Sequence, residues 1–416
     1  IGLGIPAEPL FRSSIKNLDI KWETQEQINV GLDLGFFDGR IGLVIDWYKK
    51  MSKDMLMMLN LPSIMGTQGN GSSALAAPWG NYGDIENTGL EFALNTKPIQ
   101  TKDFSWNADF QISFNKNKLK SLSGSTALPG YGQWTDVVSR SVPGESLYNF
   151  YGYEVEGIHQ SFEDILNSPV NTLQQNNPII TNADGTLSWS DDPSKYNPKN
   201  TTYVGDIKYK DVNGDGIIDE NDKTNIGSPL PDFTFGFNNT FTYKNFDLNI
   251  FINGSVGNKV GNYMKMKLTH MNSPWTNQIA DINDRTRLQP KDGVYSDWWY
   301  NDIANVVTTG QNDLPRAAIN DPNDNDAWSS RYIEDGSYLR VKAITLGYTF
   351  DQKQIKKLGL TNLRLTLNVT NLLTITGYDG YDPEIGASTT SSNVFGLDNG
   401  RYPSPTSCTF GLSVSF

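Results

Sequence analysis

Apolar and polar residues alternate one by one along much of this chain, and a period of two dictates extended strands with two chemically different faces. Ile28, Val30, Leu32, Leu34 and Phe36 share one face, with Asn29, Gly31, Asp33 and Gly35 on the other. Asp38-Gly39 then carries the signature of a tight hairpin turn, and Ile41, Leu43, Ile45 and Trp47 return. The same pattern recurs at Leu90, Phe92 and Leu94, and along Phe104, Trp106, Ala108, Phe110, Ile112 and Phe114. Phe233, Phe235, Phe237, Phe241 and Tyr243 follow, then Phe246, Leu248, Ile250 and Ile252. Leu339 to Phe350 changes phase near Ala343-Ile344, the mark of a bulge. Leu363, Leu365, Leu367 and Val369, and finally Phe410, Leu412, Val414 and Phe416, complete nine strands. Stretches 148–158 and 203–210 could raise the count to eleven.

The connections alternate too. Those around Asp38, Pro98, Asn245 and 351–360 are short; those at 51–83, 115–231, 257–331 and 374–404 are very long. Long structureless loops are uncommon in compact domains, whereas short periplasmic turns alternating with long extracellular loops are the habit of transmembrane barrels. The polar face is Asn, Thr, Ser and Gly, and the last strand ends on Phe416. A large soluble β-protein shares the alternation but not this combination. No run approaches the roughly 18 apolar residues that a membrane-spanning helix needs, and a mean hydropathy of −0.46 suits strands that are half polar. The fold class is all-β, an antiparallel transmembrane barrel portion with long extracellular loops in an outer membrane.

Nine strands leave two edges, and unpaired backbone groups in hydrocarbon are costly. The expectation is that strands preceding Ile1 complete the barrel and that residues 1–26 lie outside the cell. A net charge of −12 argues against nucleic acid as a partner. One cysteine, Cys408, excludes an internal disulfide, and two distant histidines, His159 and His270, argue against a histidine metal site. No phosphate loop, serine elbow or Cys–His pairing is present, so the chain does not read as an enzyme.

Asp211, Asn213, Asp215, Ile217, Asp219 and Asp222 match the spacing of a calcium loop, with Gly216 at the sharp turn and the Ile217 carbonyl as a ligand. Calcium is expected, with magnesium as the second choice. Asp222 is shorter than the usual glutamate, and the preceding Ile207-Lys208-Tyr209-Lys210 reads as strand rather than helix. An Asx-rich turn is the plainer reading. Trp79, Trp134, Trp189, Trp275, Trp298, Trp299 and Trp328 are assigned to loops. Indole faces stack on sugars and on apolar peptide side chains, which makes Trp275, Trp298, Trp299 and Tyr300 the candidate substrate contacts; for the dense Trp298-Trp299-Tyr300 group, loop packing or contact with a partner protein is the simpler reading. Met51, Met55, Met57 and Met58 follow a strand and fit a copper site or, more simply, an adaptable apolar plug. The run from Asp321 to Asp326 reads as a solvated acidic loop, with a second cation as the alternative.

Lys21-Trp22-Glu23-Thr24 with Asn29-Val30-Gly31-Leu32-Asp33, Asn87-Thr88-Gly89-Leu90-Glu91-Phe92, Asp211-Val212-Asn213-Gly214-Asp215-Gly216 with Ile226-Gly227 and Pro231, Asn371-Leu372, Tyr381-Asp382-Pro383-Glu384 and Tyr402-Pro403 stand in the order found in one family. The chain resembles the SusC-like (SusC/RagA) TonB-dependent outer-membrane transporters over nearly its whole length. The resemblance implies a 22-strand barrel, of which residues 1–416 are the C-terminal part, with a plug domain and early strands upstream. It implies TonB-driven import of oligosaccharides or peptides with an extracellular SusD-like lipoprotein as partner. A passive porin and a calcium-containing surface glycan-binding protein are the competing readings.

Overall fold

In the computed structural model, which describes residues 17–58, 78–123, 126–132, 136–273, 275–310, 314–386 and 394–416, the nine alternating segments form one antiparallel sheet. Its strands are β1 (Thr24–Phe36), β2 (Ile41–Met58), β3 (Trp79–Gln100), β4 (Phe104–Leu122), β5 (Phe233–Tyr243), β6 (Phe246–Val256), β7 (Tyr338–Thr349), β8 (Asn362–Thr376) and β9 (Ser407–Ser415), paired in that order. Among the described residues β1 and β9 each have a partner on one side only, so the sheet does not close on itself.

Register keeps the two faces chemically apart. On one face Trp106 lies opposite Phe241 and Phe110 opposite Phe237. The row continues from Phe241 to Leu248, Leu346, Leu367 and Phe410. Trp106 stacks on Phe241 at 5.7 Å, and Phe246 meets Tyr348 at 4.5 Å; such pairs add about 0.5–1.5 kcal/mol beyond burial. Asn239 interrupts the apolar row, and the Trp106 indole N–H donates to its Oδ1 at 3.1 Å. On the other face the Asn249 amide donates to Asn238 Oδ1 at 2.8 Å and Thr240 Oγ1 at 3.0 Å. Arg364 grips Asp247 through two hydrogen bonds of 2.7 Å. That pair passes over Gly347, where a Cβ would collide with both side chains. Gly89 yields the same room to the Tyr48 ring.

The bulge expected near Ala343 is present. Phe251 faces Ala343 while Ile252 faces Val341, which leaves Lys342 outside the ladder. Three strands run beyond their expected limits: β2 to Met58, β3 from Trp79 and β4 to Leu122. Met51, Met55, Met57 and Met58 are therefore inside β2 rather than after it, and Trp79 opens a strand rather than lying in a loop. Alternation fades in these extensions because they rise beyond the apolar band. Cross-strand ion pairs reach from them instead, Lys53–Glu26 at 2.6 Å and Lys120–Glu86 at 3.7 Å.

The long connections are not structureless. They fold into a head above one rim of the sheet, with apolar cores of their own. One core joins Phe162, Ile165, Trp189, Tyr203, Ile303 and Val306, among others. A second joins Val138, Phe150, Tyr263, Trp328, Tyr332 and Leu397. Trp189 and Trp328 are thus core residues rather than loop contacts, and Trp134 lies outside the described residues. The two additional strand candidates do hold short strands, but outside the sheet: Ile207–Tyr209 pairs with Val155–Ile158, and Phe150–Gly152 with Thr224–Gly227.

The acidic run 321–326 is buried rather than solvated. Asn323 and Asn325 are 0% and 5% exposed. Asn323 donates to the Ile207 carbonyl, and Asn325 donates to Asp206 Oδ1 at 3.0 Å. Arg316 closes the network on Asp206 with contacts of 2.8 and 2.9 Å while lying over the Tyr203 ring. Backbone groups deep in a loop need such partners, which is why an Asn- and Asp-rich run can be a core element.

Two outcomes are expected. Leu248→Arg or Leu365→Arg lowers stability, by about 2–4 kcal/mol at midplane depth and less towards the rim, while changes at Asn249 or Thr366 cost far less, read by urea titration in lipid. Arg316→Ala strands the Asp206 carboxylate in the head and costs about 3–5 kcal/mol there, read by hydrogen exchange confined to the head.

Candidate functional site

The head and the polar face of the sheet hold every candidate residue. In the loop 211–222, Gly214 and Gly216 adopt φ of 78° and 81°, values that side chains disfavour. The carboxylates turn to the loop's own amides. Asp211 accepts from Gly214 N at 2.6 Å and Gly216 N at 2.7 Å, and Asp215 accepts from Ile217 N at 2.9 Å. Asn213 Oδ1 accepts from Asp215 N at 2.9 Å. Asp219 caps a short turn through Asn221 N at 2.7 Å. Asp222 is fully buried, and its two oxygens accept from Val212 N at 2.9 Å and Asp219 N at 2.8 Å. Ile217 and Ile218 pair in parallel with Val170 and Asn171, which fixes the loop's exit.

Among the described residues, carboxylates converge instead at Asp321, Asp324 and Asp326, whose oxygens lie within 4.8 Å of one another. Burial, then the neighbouring Asp326, pushes Asp321 up to about 8, and the same two causes push Asp324 up to about 6. Asp326 N donates to Asp321 Oδ2 at 2.9 Å, and Asn272 donates to Asp326 Oδ2 at 3.0 Å.

The aromatic candidates separate into two places. Trp298, Trp299 and Tyr300 cluster with Tyr295, with ring centroids 5.6 to 6.0 Å apart. Trp299 packs against the first core, and the Tyr300 carbonyl accepts from the buried Tyr203 hydroxyl. Trp298 sits at φ 66°, a left-handed backbone, and is 67% exposed. The cluster is anchored from below and offers one indole to solvent. Trp275 is 92% exposed and makes no ring contact among the described residues.

One constellation escaped sequence reasoning. Arg340, on β7 beside the bulge, is 3% exposed and holds Asp382 at 2.6 Å and Glu384 at 2.7 Å; the bulge residue Lys342 adds a contact to Glu384 at 2.9 Å. Asp382 is lowered below the usual carboxylate range because the Ser404 amide and the Arg340 guanidinium outweigh its burial. These bonds strap Asp382 and Glu384 to the polar face of the wall, beside a cavity of about 560 Å³ lined by Thr234, Ser255, Tyr338, Lys342, Glu384 and Arg401 among others. The signal available was the Tyr381-Asp382-Pro383-Glu384 motif itself, whose partners 40 residues upstream no local pattern reveals.

No family model matches the chain. It is 34% identical over 96% of its length to a TonB-dependent receptor of Formosa agariphila and 27% identical over 96% to the TonB-dependent receptor SusC of Bacteroides thetaiotaomicron. It covers 35% and 32% of those proteins, so it spans about a third of the curated relatives it matches. The solved structure of the RagAB peptide importer in its closed–closed state shares the fold, with a TM-score of 0.67 at 20% identity, over 97% of this chain and 36% of that one. A two-faced antiparallel sheet with a folded head on one rim, joined to sequence likeness along almost its whole length, identifies the chain as an outer-membrane β-barrel portion of the SusC-like TonB-dependent receptors.

Proposed function

We propose that this chain supplies part of the wall and the extracellular head of a transporter that imports oligosaccharides or peptides across the outer membrane with TonB and the proton-motive force. The observation that carries the reading is the division of the sheet into an apolar aromatic face and a polar face of Asn, Thr, Arg and Asp under a folded head. Import against a gradient needs a plug and a TonB contact, and both belong to the remainder of the protein. A SusD-like surface lipoprotein is the proposed partner of the head; the naming of one relative as SusC and of one structural neighbour as a peptide importer supports it. The cavity beside the Asp382–Glu384 strap, at the junction of head and wall, gives substrate a place to enter.

Trp298 and Tyr300 are proposed as substrate contacts, with Trp299 holding their platform and Trp275 a second, separate contact. Rigid aromatic surfaces bind at low entropic cost. In the whole transporter, Trp298→Ala is expected to weaken substrate binding roughly tenfold, about 1.4 kcal/mol, in calorimetry with ligand extracted from the purified complex. Unchanged affinity there removes the platform from the reading, and a purified complex that carries no oligosaccharide or peptide removes the substrate class.

The loop 211–222 is proposed to take calcium through Asp211, Asn213, Asp215, Asp219 and the Ile217 carbonyl. Each carboxylate oxygen that accepts an amide keeps a further lone pair, so the amide bonds pre-position the ligands. Asp222 fits less well, because it is fully buried while Asp211 is not. Calcium should therefore protect the head from proteolysis. Asp211→Asn should abolish that protection, and magnesium should give less of it, since it demands stricter octahedral geometry. Equal proteolysis with calcium and with chelator would remove the metal.

A further inference from the structure

The four short connections lie side by side along the rim opposite the head. Lys97 N donates to the Arg40 carbonyl, Lys244 N to the Asp103 carbonyl, Thr349 N to the Asn245 carbonyl and Thr361 N to the Ser415 carbonyl, at 2.8 to 2.9 Å. Turns from separate hairpins are thus bonded into one continuous edge. On it stand Arg40, Lys97, Lys102, Lys244, Lys353, Lys356 and Lys357, against three carboxylates, Asp38, Asp103 and Asp351. The edge is cationic in a chain whose net charge is −12.

All seven cations are exposed. Among the described residues none of them pairs with a carboxylate, while Arg316, Arg340, Lys342, Arg364 and Lys265 elsewhere all do. Asp351, the acid nearest the three lysines of the last turn, accepts from the Asn245 amide. Immediately inside the edge comes a belt of exposed aromatics, Phe36, Phe37, Tyr243 and Phe246. Lys244 leans over the Tyr243 ring at 5.4 Å, and Leu358 projects from among the lysines of the last turn.

Aromatic residues mark the depth at which hydrocarbon gives way to headgroups. Unpaired ammonium groups just beyond that depth stand where lipid phosphates lie, and a row of basic residues attracts an anionic leaflet. Short turns of such barrels face the periplasm. We propose that this rim binds the anionic phospholipid headgroups of the inner leaflet of the outer membrane and anchors the barrel's depth there. The proposal rests on the membrane-barrel reading but requires nothing of the transported substrate.

The test uses the full-length transporter, reconstituted in phosphatidylcholine vesicles, with spin-labelled phosphatidylglycerol and spin-labelled phosphatidylcholine as probes. The wild type should favour the anionic lipid at its surface by at least roughly threefold at low salt, and molar salt should erase the preference. Lys97, Lys102, Lys353, Lys356 and Lys357 all changed to Gln should lose it, while Lys195→Gln with Lys199→Gln in the head should keep it. These are exposed side chains outside every core, so folding is not at stake. No preference in the wild type, or one that survives loss of the five lysines, overturns the proposal. So does a rim that captures soluble anionic peptidoglycan fragments without any lipid preference. Failure to insert into vesicles at all is scored separately by heat-modifiable mobility, and it overturns the barrel reading beneath this one.

Discussion

A peptide group in hydrocarbon has no water to turn to, so each N–H and C=O must find its partner inside the protein. The wall of this chain answers that demand with continuous ladders from β1 to β9. Everything else follows from the ladder. Because the backbone is satisfied by neighbours, side chains are free to differ completely on the two faces. One face solvates itself in lipid with Trp106, Phe237, Phe241 and Leu365; the other spends its polar groups on one another, as Asn249 does with Asn238 and Thr240. Even the exception obeys the rule, since Asn239 on the apolar face is taken up by the Trp106 indole.

The same constraint explains where the apolar cores went. A wall one strand thick between lipid and lumen has nothing to bury against, so the packed interiors sit in the head and where the head meets the upper ends of β2, β3 and β4. There water is available at the surface but not at the centre, and the loop backbone needs internal partners. Asn171, Asn323, Asn325, Asp206 and Arg316 provide them, accepting from the Leu173, Ile207 and Tyr203 amides and donating to the Ile207 and Pro198 carbonyls. The strap from Arg340 to Asp382 and Glu384 ties this head to the wall where the ladder is broken by a bulge. A bulge releases one residue from pairing, and here the released Lys342 joins the strap.

All nine wall strands were legible in the sequence, and even the bulge near Ala343, because a period of two survives wherever one face meets lipid. The upper parts of β2, β3 and β4 were not, because the lipid-facing alternation stops there: Met55, Ile85, Leu119 and Leu122 pack against Leu147 of the head instead. The head was illegible for a related reason. Its strands are two to five residues long and pair across gaps such as Val155 to Tyr209, too short for periodicity and too distant for turn rules. Of the candidate site, the loop 211–222 and the Trp298 cluster could be named from residue type alone. The burial of 321–326 and the partners of Asp382 could not, since acidic and amide side chains read as solvated until their neighbours are known.

The central claim is that alternate residues of each wall strand face lipid and water. It is tested most directly on β8 in the full-length transporter with Cys408 replaced by Ser. Single cysteines would be placed in turn at positions 363 to 369, and each treated with a membrane-impermeant maleimide in native membranes. The account predicts fast labelling at Arg364, Thr366 and Asn368 and protection at Leu363, Leu365 and Leu367. Uniform labelling along the strand, or the opposite alternation, would contradict it.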